Sequence, residues 1–293
     1  MRKRGPSPKP KQTPAALASM TNRKYSSHIT RLVNNTDADV VSSSIALLSG
    51  NEPMFDPIFQ SNPLIVRNNN CYAHAAGLLK TSTKHDERTK MQPGNRSMKY
   101  RGAHAIECAG LKNLIGSDWA VDDMQFIKHN TKSRAGHFRV MILHTKLKSK
   151  APRGYDTNWD YHFYVQVLNP FNVYFERMYN RNAPLIHMHR QPHLKHAYLT
   201  LNGKDWVAQR KVRYLKHLKD TVGDRAFMAM VLRYGSIPDG VWSHKRGTAY
   251  EAGIMDANQH IIFDPRLADA NYGRLNYQTV CNYVMLFKNK SQV

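Results

Sequence analysis

No long apolar run occurs in the chain: the longest, Ala226 to Leu232, is seven residues, against the roughly 20 that a bilayer-spanning helix requires. A membrane span is therefore not expected. Cysteine is scarce too. Cys71, Cys108 and Cys281 are an odd set with no CxxC pair, which argues against a disulfide framework and a cysteine-rich zinc site, and for a reducing compartment. Acid is the third shortage, with 21 Asp+Glu against 43 Lys+Arg and a net charge of +22. Such a balance favours nucleic acid or another acidic partner. The opening MRKRGPSPKPK has the charge of an export signal but no apolar segment behind it, so export by that route is not expected.

What is present suffices for a folded protein. Over 293 residues, 41% are hydrophobic and 10% aromatic, enough apolar mass to exclude wholesale disorder. Residues 1–36 hold Arg2, Lys3, Arg4, Lys9, Lys11, Arg23, Lys24 and Arg31, no acid, and the helix-breaking Pro6, Pro8, Pro10 and Pro14. They read as a basic, largely disordered arm for phosphate contacts. The remainder, 37–293, reads as one core domain. Its charge without those eight residues is 22 − 8 = +14, so the core is basic as well.

Apolar spacing predicts short helices over Asp39–Leu48 and Ile106–Leu114, and strands at Phe138–His144, Tyr161–Leu168, Gln259–Asp264 and Tyr283–Phe287. Helices followed by strands make the fold class α+β. Residues 81–100 are polar and turn-rich, a surface loop. From Lys204 to Val222 the positions Val207, Lys211, Tyr214 or Leu215, Leu218 and Val222 share a helical stripe, while Arg210, Arg213, Lys216 and Lys219 occupy other faces. That basic helix, with Arg210, Arg213 and Lys216 as phosphate-binding candidates, joins the arm and the Lys84–Arg96 loop as a nucleic-acid surface.

Two segments carry chemistry. Asn68-Asn69-Asn70 runs into a helix beginning at Cys71, where the backbone N–H groups and the helix dipole favour a thiolate and an oxyanion. Asn70 and the Cys71 N–H are the oxyanion candidates. In Asp160-Tyr161-His162-Phe163-Tyr164-Val165-Gln166-Val167, strict alternation places Tyr161, Phe163, Val165 and Val167 on one face and Asp160, His162, Tyr164 and Gln166 on the other. His162 is then a general base displayed on a strand. In Trp242-Ser243-His244-Lys245-Arg246-Gly247 and Asp264-Pro265, His244 and Asp264 are both possible orienting partners for His162.

Together NCYAHA, DYHFYVQ, WSHKRG and DPRLAD resemble a group of bacterial and viral Cys–His proteins with the running pattern N-C-Y-x-Y-A, D-Y-H-[FW]-Y-R, W-S-H-K-x-G and D-P. That group is similar in arrangement to papain-like cysteine hydrolases. The resemblance covers about residues 66–80, 158–168 and 240–287, and it implies a papain-like fold whose N-terminal helices, with Cys71 at a helix start, pack on an antiparallel sheet. It also implies catalytic roles for Cys71 and His162 and, more loosely, His244 and Asp264. The sequence departs from the pattern at His74, where an aromatic is usual, at Val165, where Arg is usual, and between Asn169 and Asp239, a helical basic insertion. His187, His189, His193 and His196 in that insertion lack a completing cysteine or carboxylate pattern, and Arg190 and Lys195 oppose a dication. Neither a metal nor a cofactor is expected.

Three functions follow. One is a Cys–His peptidase or amidase acting on a protein or peptide substrate, placed on nucleic acid or an acidic partner by its basic extensions. A second is a catalytically inactive nucleic-acid-associated or virion structural protein. The third is an acyltransferase or transglutaminase-like enzyme on the same pair. The expected location is the cytoplasm, that of an infected host included, or a virion. Truncation of residues 1–24 is expected to weaken DNA and RNA binding uniformly across sequences, with the log–log salt slope flattened by about 0.9 per lost phosphate contact. Equal salt slopes for the full-length and truncated chains would remove that role from the arm.

Overall fold

The computed structural model describes residues 38–79, 91–94, 107–146, 159–173, 205–247, 250–273, 276–277 and 279–287. The basic arm with Arg2, Lys3, Arg4, Lys9 and Lys11, most of the Lys84–Arg96 loop and the four histidines at 187–196 lie outside them. The fold is α+β: among the described residues a six-stranded sheet, antiparallel throughout, has helices against one face.

Helix α1 (Ala38–Ala46) buries Val41 and Ile45, followed by Leu48, at helical spacing. Its Ser44 hydroxyl donates to the Gly240 carbonyl at 2.6 Å. Gly240 has φ +84°, and a Cβ there would lie 3.2 Å from the Ile45 nitrogen, so only glycine allows this approach. Two helices follow that the apolar pattern did not predict, α2 (Pro57–Ser61) and α3 (Pro63–Asn68). Each has Pro in its first turn after a side-chain cap, with Asp56 accepting from the Phe59 N–H and Asn62 from the Leu64 N–H. Such D-P and N-P pairs are legible start signals even where apolar periodicity is too short to register. Next, α4 (Cys71–Ala76) is capped by Asn70 and ended by Gly77 at φ 69°. All six of its residues are buried, and Ala73, Ala75 and Ala76 allow close packing on the sheet.

Helix α5 (Cys108–Ser117) precedes the edge strand β1 (Met124–Ile127). The other strands are β2 (His137–Lys146), β3 (Trp159–Gln166), β4 (Trp242–Lys245), β5 (Ala252–Gly253) and β6 (Thr279–Phe287), in the order β1-β6-β2-β3-β4-β5. Alternation gives the sheet two apolar faces. Phe138, Val140, Ile142, Phe163, Val165, Val284 and Leu286 meet the helices. Met141, Leu143, Tyr164, Trp242 and Tyr283 lie under Ile262, Ala270 and Tyr277 from the segment before β6.

Two expectations are corrected here. Gln259–Asp264 is not a strand but a turn-rich segment with one bridge, Met255 to Ile261. The Asp256 carboxylate accepts from the N–H groups of Asn258, His260 and Asp269, drawing the backbone out of a ladder. Cys108 and Cys281 form a disulfide, Cα–Cα 5.4 Å, tying the start of α5 to β6. A bridge of this kind belongs to oxidising surroundings, so it does not support the expected reducing compartment. Among the described residues no helix is long and apolar enough to cross a membrane.

The insertion contributes α6 (Asp205–Val222) and α7 (Asp224–Tyr234). Lys211, on the stripe of α6 that also buries Val207, Leu215 and Leu218, is fully buried with Asp239 at 2.6 Å. Asp239 also accepts from the Asn169 N–H and the Asn172 amide, so both of its oxygens are hydrogen-bonded. Removing one ion of such a pair leaves the other stranded in the core. Lys211→Met is therefore expected to lower the unfolding free energy by about 3–5 kcal/mol, and the exposed Lys216→Met on the same helix by no more than about 0.5 kcal/mol. Equal urea midpoints for the two variants would show that this ion pair does not anchor α6.

Candidate functional site

Cys71 occupies the first position of α4, as its sequence context predicts, and its Sγ lies at 3.8 Å from the Tyr161 carbonyl. The N–H groups of Tyr72 and Phe163 also reach the sulfur. Tyr161 C=O and Phe163 N–H belong to the two peptides that flank His162, so the thiol sits against the main chain of the proposed base. On β3, residue 164 is the first to pair with β4. The thiol therefore takes a stretch of β3 that β4 leaves uncovered.

The expected thiolate is not what this environment favours. Burial pushes the Cys71 thiol up to about 12, with the Asp160 carboxylate adding to the rise, and the Tyr72 N–H, Lys245 and the Phe163 N–H only partly opposing it. A six-residue helix contributes a weak dipole, and desolvation of the anion outweighs it. At neutral pH Cys71 is a thiol whose proton points to the Tyr161 carbonyl.

His162 and His244 meet directly, Nε2 to Nδ1 at 2.9 Å, and His244 Nε2 lies 2.8 Å from the Met255 carbonyl. These two distances fix the protons. A carbonyl only accepts, so His244 Nε2 carries hydrogen. Burial lowers His244 to about 4, with Arg246 adding to the fall, so the ring is neutral and its Nδ1 accepts. His162 must then donate through Nε2. Burial first, then His244, Arg246 and His74, holds His162 well below the usual histidine range. The neutral His162 consequently keeps a bare lone pair at Nδ1. No hydrogen bond joins Cys71 to His162.

Aromatic rings hold this pair. Tyr277 stacks on His162 at 4.9 Å between centroids, and Tyr272 stacks on His244 at 5.7 Å. The Tyr277 hydroxyl donates to Asp160 at 2.7 Å, which fixes the carboxylate nearest the thiol. Asp264, the other proposed orienting acid, takes no part. Both its oxygens accept from the Arg266 guanidinium, which holds the carboxylate low against the rise from burial. The residue after next in the chain competes better than a distant imidazole, so the partner of His162 is His244.

The oxyanion expectation at Asn70 is also revised. Asn70 Oδ1 accepts from the Ala73 N–H, and Nδ2 donates to Gln92 Oε1 at 3.2 Å. Its amide is thus committed. Gln92 Oε1 also accepts from the Tyr161 hydroxyl. Among the described residues both hydrogen bonds of the Gln92 amide go to its oxygen, which leaves Nε2 as a candidate donor next to the residue that precedes Cys71. A glutamine so far after the cysteine offers no spacing cue, which is why sequence reasoning missed it. His74, one turn along α4, reaches Ser243 Oγ at 3.0 Å and couples α4 to β4. Burial lowers its pKa to about 3, with Lys245 and His244 contributing.

Among the nucleic-acid candidates, Arg213 and Lys216 are exposed on α6. Arg210 is not available in the same way: it donates to the Gly50 carbonyl at 2.6 Å and the Glu52 carbonyl at 2.8 Å. Comparison of the chain with protein-family models, curated proteins and solved structures finds no match.

The buried imidazoles give stability a defined pH dependence. Unfolded histidine titrates near 6.5, while His244 and His74 titrate at about 4 and about 3 in the fold. Between those values the unfolded chain holds more protons, so stability is full above about 6.5 and is lost as pH falls toward 4, by up to about 1.4 kcal/mol per pH unit for each imidazole. Urea midpoints are expected to drop over that window, and His244→Gln to make the drop shallower. A midpoint constant from pH 7 to 4.5 would contradict the neutral, buried pair.

Proposed function

We propose that the protein is a papain-like Cys–His hydrolase of amide bonds, with Cys71 as nucleophile, His162 as general base and His244 as the residue that positions His162. The observation that carries this reading is the chain Met255 carbonyl, His244, His162, which leaves an unprotonated Nδ1 on the residue whose flanking peptides contact the Cys71 thiol. Because the thiol is neutral, attack is base-assisted rather than by a preformed ion pair. Sγ bonds to the scissile carbonyl carbon as its proton passes to His162 Nδ1. The carbonyl oxygen gains the charge, for which the Cys71 N–H at the start of α4 and the Gln92 amide are the candidate donors. When the C–N bond breaks, the imidazolium returns the proton to the departing amine and a thioester remains. Water then attacks the thioester, giving a proton to His162, and the sulfur leaves as thiolate and is reprotonated.

The protonated His162 of the intermediate is stabilised only weakly, since His244 offers a neutral acceptor and no carboxylate. This arrangement supports a modest rate and an acid limb displaced below the usual histidine range. Burial of Cys71 favours a second reading, a nucleic-acid-associated or virion structural protein that does not run the reaction.

The test is a peptide library digested by the full chain, with new termini read by mass spectrometry. Cys71→Ala is expected to abolish cleavage. His162→Ala and His244→Ala are expected to slow it about a hundredfold to ten-thousandfold, and His244→Gln, which can still accept from His162 Nε2, to restore part of the loss. Cleavage unaffected by Cys71→Ala would exclude the reading, and absence of cleavage together with intact nucleic-acid binding would select the structural role.

A further inference from the structure

Arg246 follows the last residue of β4, two positions after His244. Its guanidinium lies over the Tyr250 ring at 4.4 Å and over the Tyr272 ring at 4.9 Å. Tyr272 is in turn stacked on His244 and tilted against His162 at 5.9 Å, so the cation is one ring away from the candidate catalytic pair. The backbone beside Arg246 is fixed by its neighbours. The buried Lys245 ammonium donates at 2.6 Å to both the Gly247 and the Tyr250 carbonyls, and Gly247 takes φ +58°. Arg246 makes no hydrogen bond or ion pair among the described residues, although it is only half-exposed.

A guanidinium held over aromatic rings keeps its N–H donors for another partner, and the guanidinium fork matches a carboxylate or phosphate through two parallel hydrogen bonds. The surroundings choose between those anions. Burial raises the Tyr272 phenol and the nearby Asp256 and Asp269 add to the rise, while Glu251 adjoins Tyr250 in the chain. These carboxylates interrupt the row of cations that a phosphate polymer needs and leave Arg246 as a single cation, which suits one compact anion.

We propose that Arg246, held over the Tyr250 and Tyr272 rings, is a carboxylate-binding subsite that selects peptides carrying a carboxylate close to the bond to be cleaved. The identification of a bond to be cleaved rests on the hydrolase reading, whereas the carboxylate site itself does not. The carboxylate is either the C-terminus of the substrate or an acidic side chain, and both present the same two oxygens.

Fluorescent tetrapeptide libraries separate these sources: one with free C-terminal acids and no Asp or Glu, one amidated with Asp or Glu, and one amidated without acid. Binding is measured by anisotropy on the full-length Cys71→Ala chain at about 0.15 M salt, where distant charges are screened. One acid-bearing library is expected to bind about tenfold tighter than the neutral library. Arg246→Gln should erase the preference, Arg246→Lys should lose most of it because the fork is gone, and the exposed control Arg213→Gln should keep it. Equal binding of all three libraries, a preference that survives Arg246→Gln, or one lost equally with Arg213→Gln overturns the proposal. So does a single-stranded oligonucleotide that binds through Arg246 more tightly than either acid library. Digesting the same libraries with the unsubstituted chain keeps the two readings apart: Arg246-dependent binding without cleavage retains the subsite and removes the hydrolase, and cleavage indifferent to acid does the reverse.

Discussion

The register of β3 against β4, with Tyr164 opposite His244 and Val165 opposite Ser243, is the constraint from which the candidate site and both sheet faces follow. Strand side chains alternate, so a slip by one residue would exchange everything the two faces carry. In the observed register Phe163 and Val165 meet the helices, and His162 and Tyr164 meet the aromatic layer. His244 then falls diagonal to His162, close enough for a 2.9 Å hydrogen bond. The same register brings Ser243 to His74 on the helix face and so sets α4 beside β3, with Cys71 at the edge of β3 that β4 leaves uncovered. One strand pairing thus places a thiol and two imidazoles that are separated by most of the chain.

Satisfied polar groups rather than apolar packing alone hold that register. Gln166, at the end of β3, donates to the Ser44 carbonyl and to its hydroxyl, which itself donates to Gly240 just before β4. Asp239 gathers Asn169, Asn172 and Lys211 at the same junction. Buried polar groups of this kind are costly when unpartnered and orienting when satisfied. Several acids are spent inside the fold. Glu52 accepts from the N–H groups of Ser49 and Gly50, and Asp256 ties the turn that offers the Met255 carbonyl to His244. The same holds for cations. Arg139, stacked on Trp242 and Tyr283, and the buried Lys211 and Lys245 serve the fold, so the net charge overstates what is free to meet a partner.

A neutral site inside a basic protein is the consequence. Desolvation decides each group: it raises the Cys71 thiol and lowers His74, His162 and His244. Nearby charges add smaller corrections, since a low-dielectric interior penalises any ion that lacks a close counter-ion. The structure therefore holds its candidate nucleophile and base in uncharged forms, with tautomers set by a single backbone carbonyl.

Local chemistry made much of this legible from the amino-acid sequence alone. Alternation identified β3 and the shared face of Asp160, His162 and Tyr164, the asparagine run identified the cap before Cys71, and helical spacing identified α6. It even set Lys211 on the buried stripe, though only Asp239 explains why a lysine belongs there. These features depend on neighbours a few residues apart, for which backbone periodicity is a sufficient guide. What only the tertiary structure decided is everything that depends on distance through space: His244 rather than Asp264 as the partner of His162, Gln92 beside Asn70, the Cys108–Cys281 bridge, and the protonation of the thiol. A hydrogen-bond partner and a desolvation penalty are set by the atoms that surround a group after folding, and pairing between strands far apart in the chain leaves no periodic trace in the sequence.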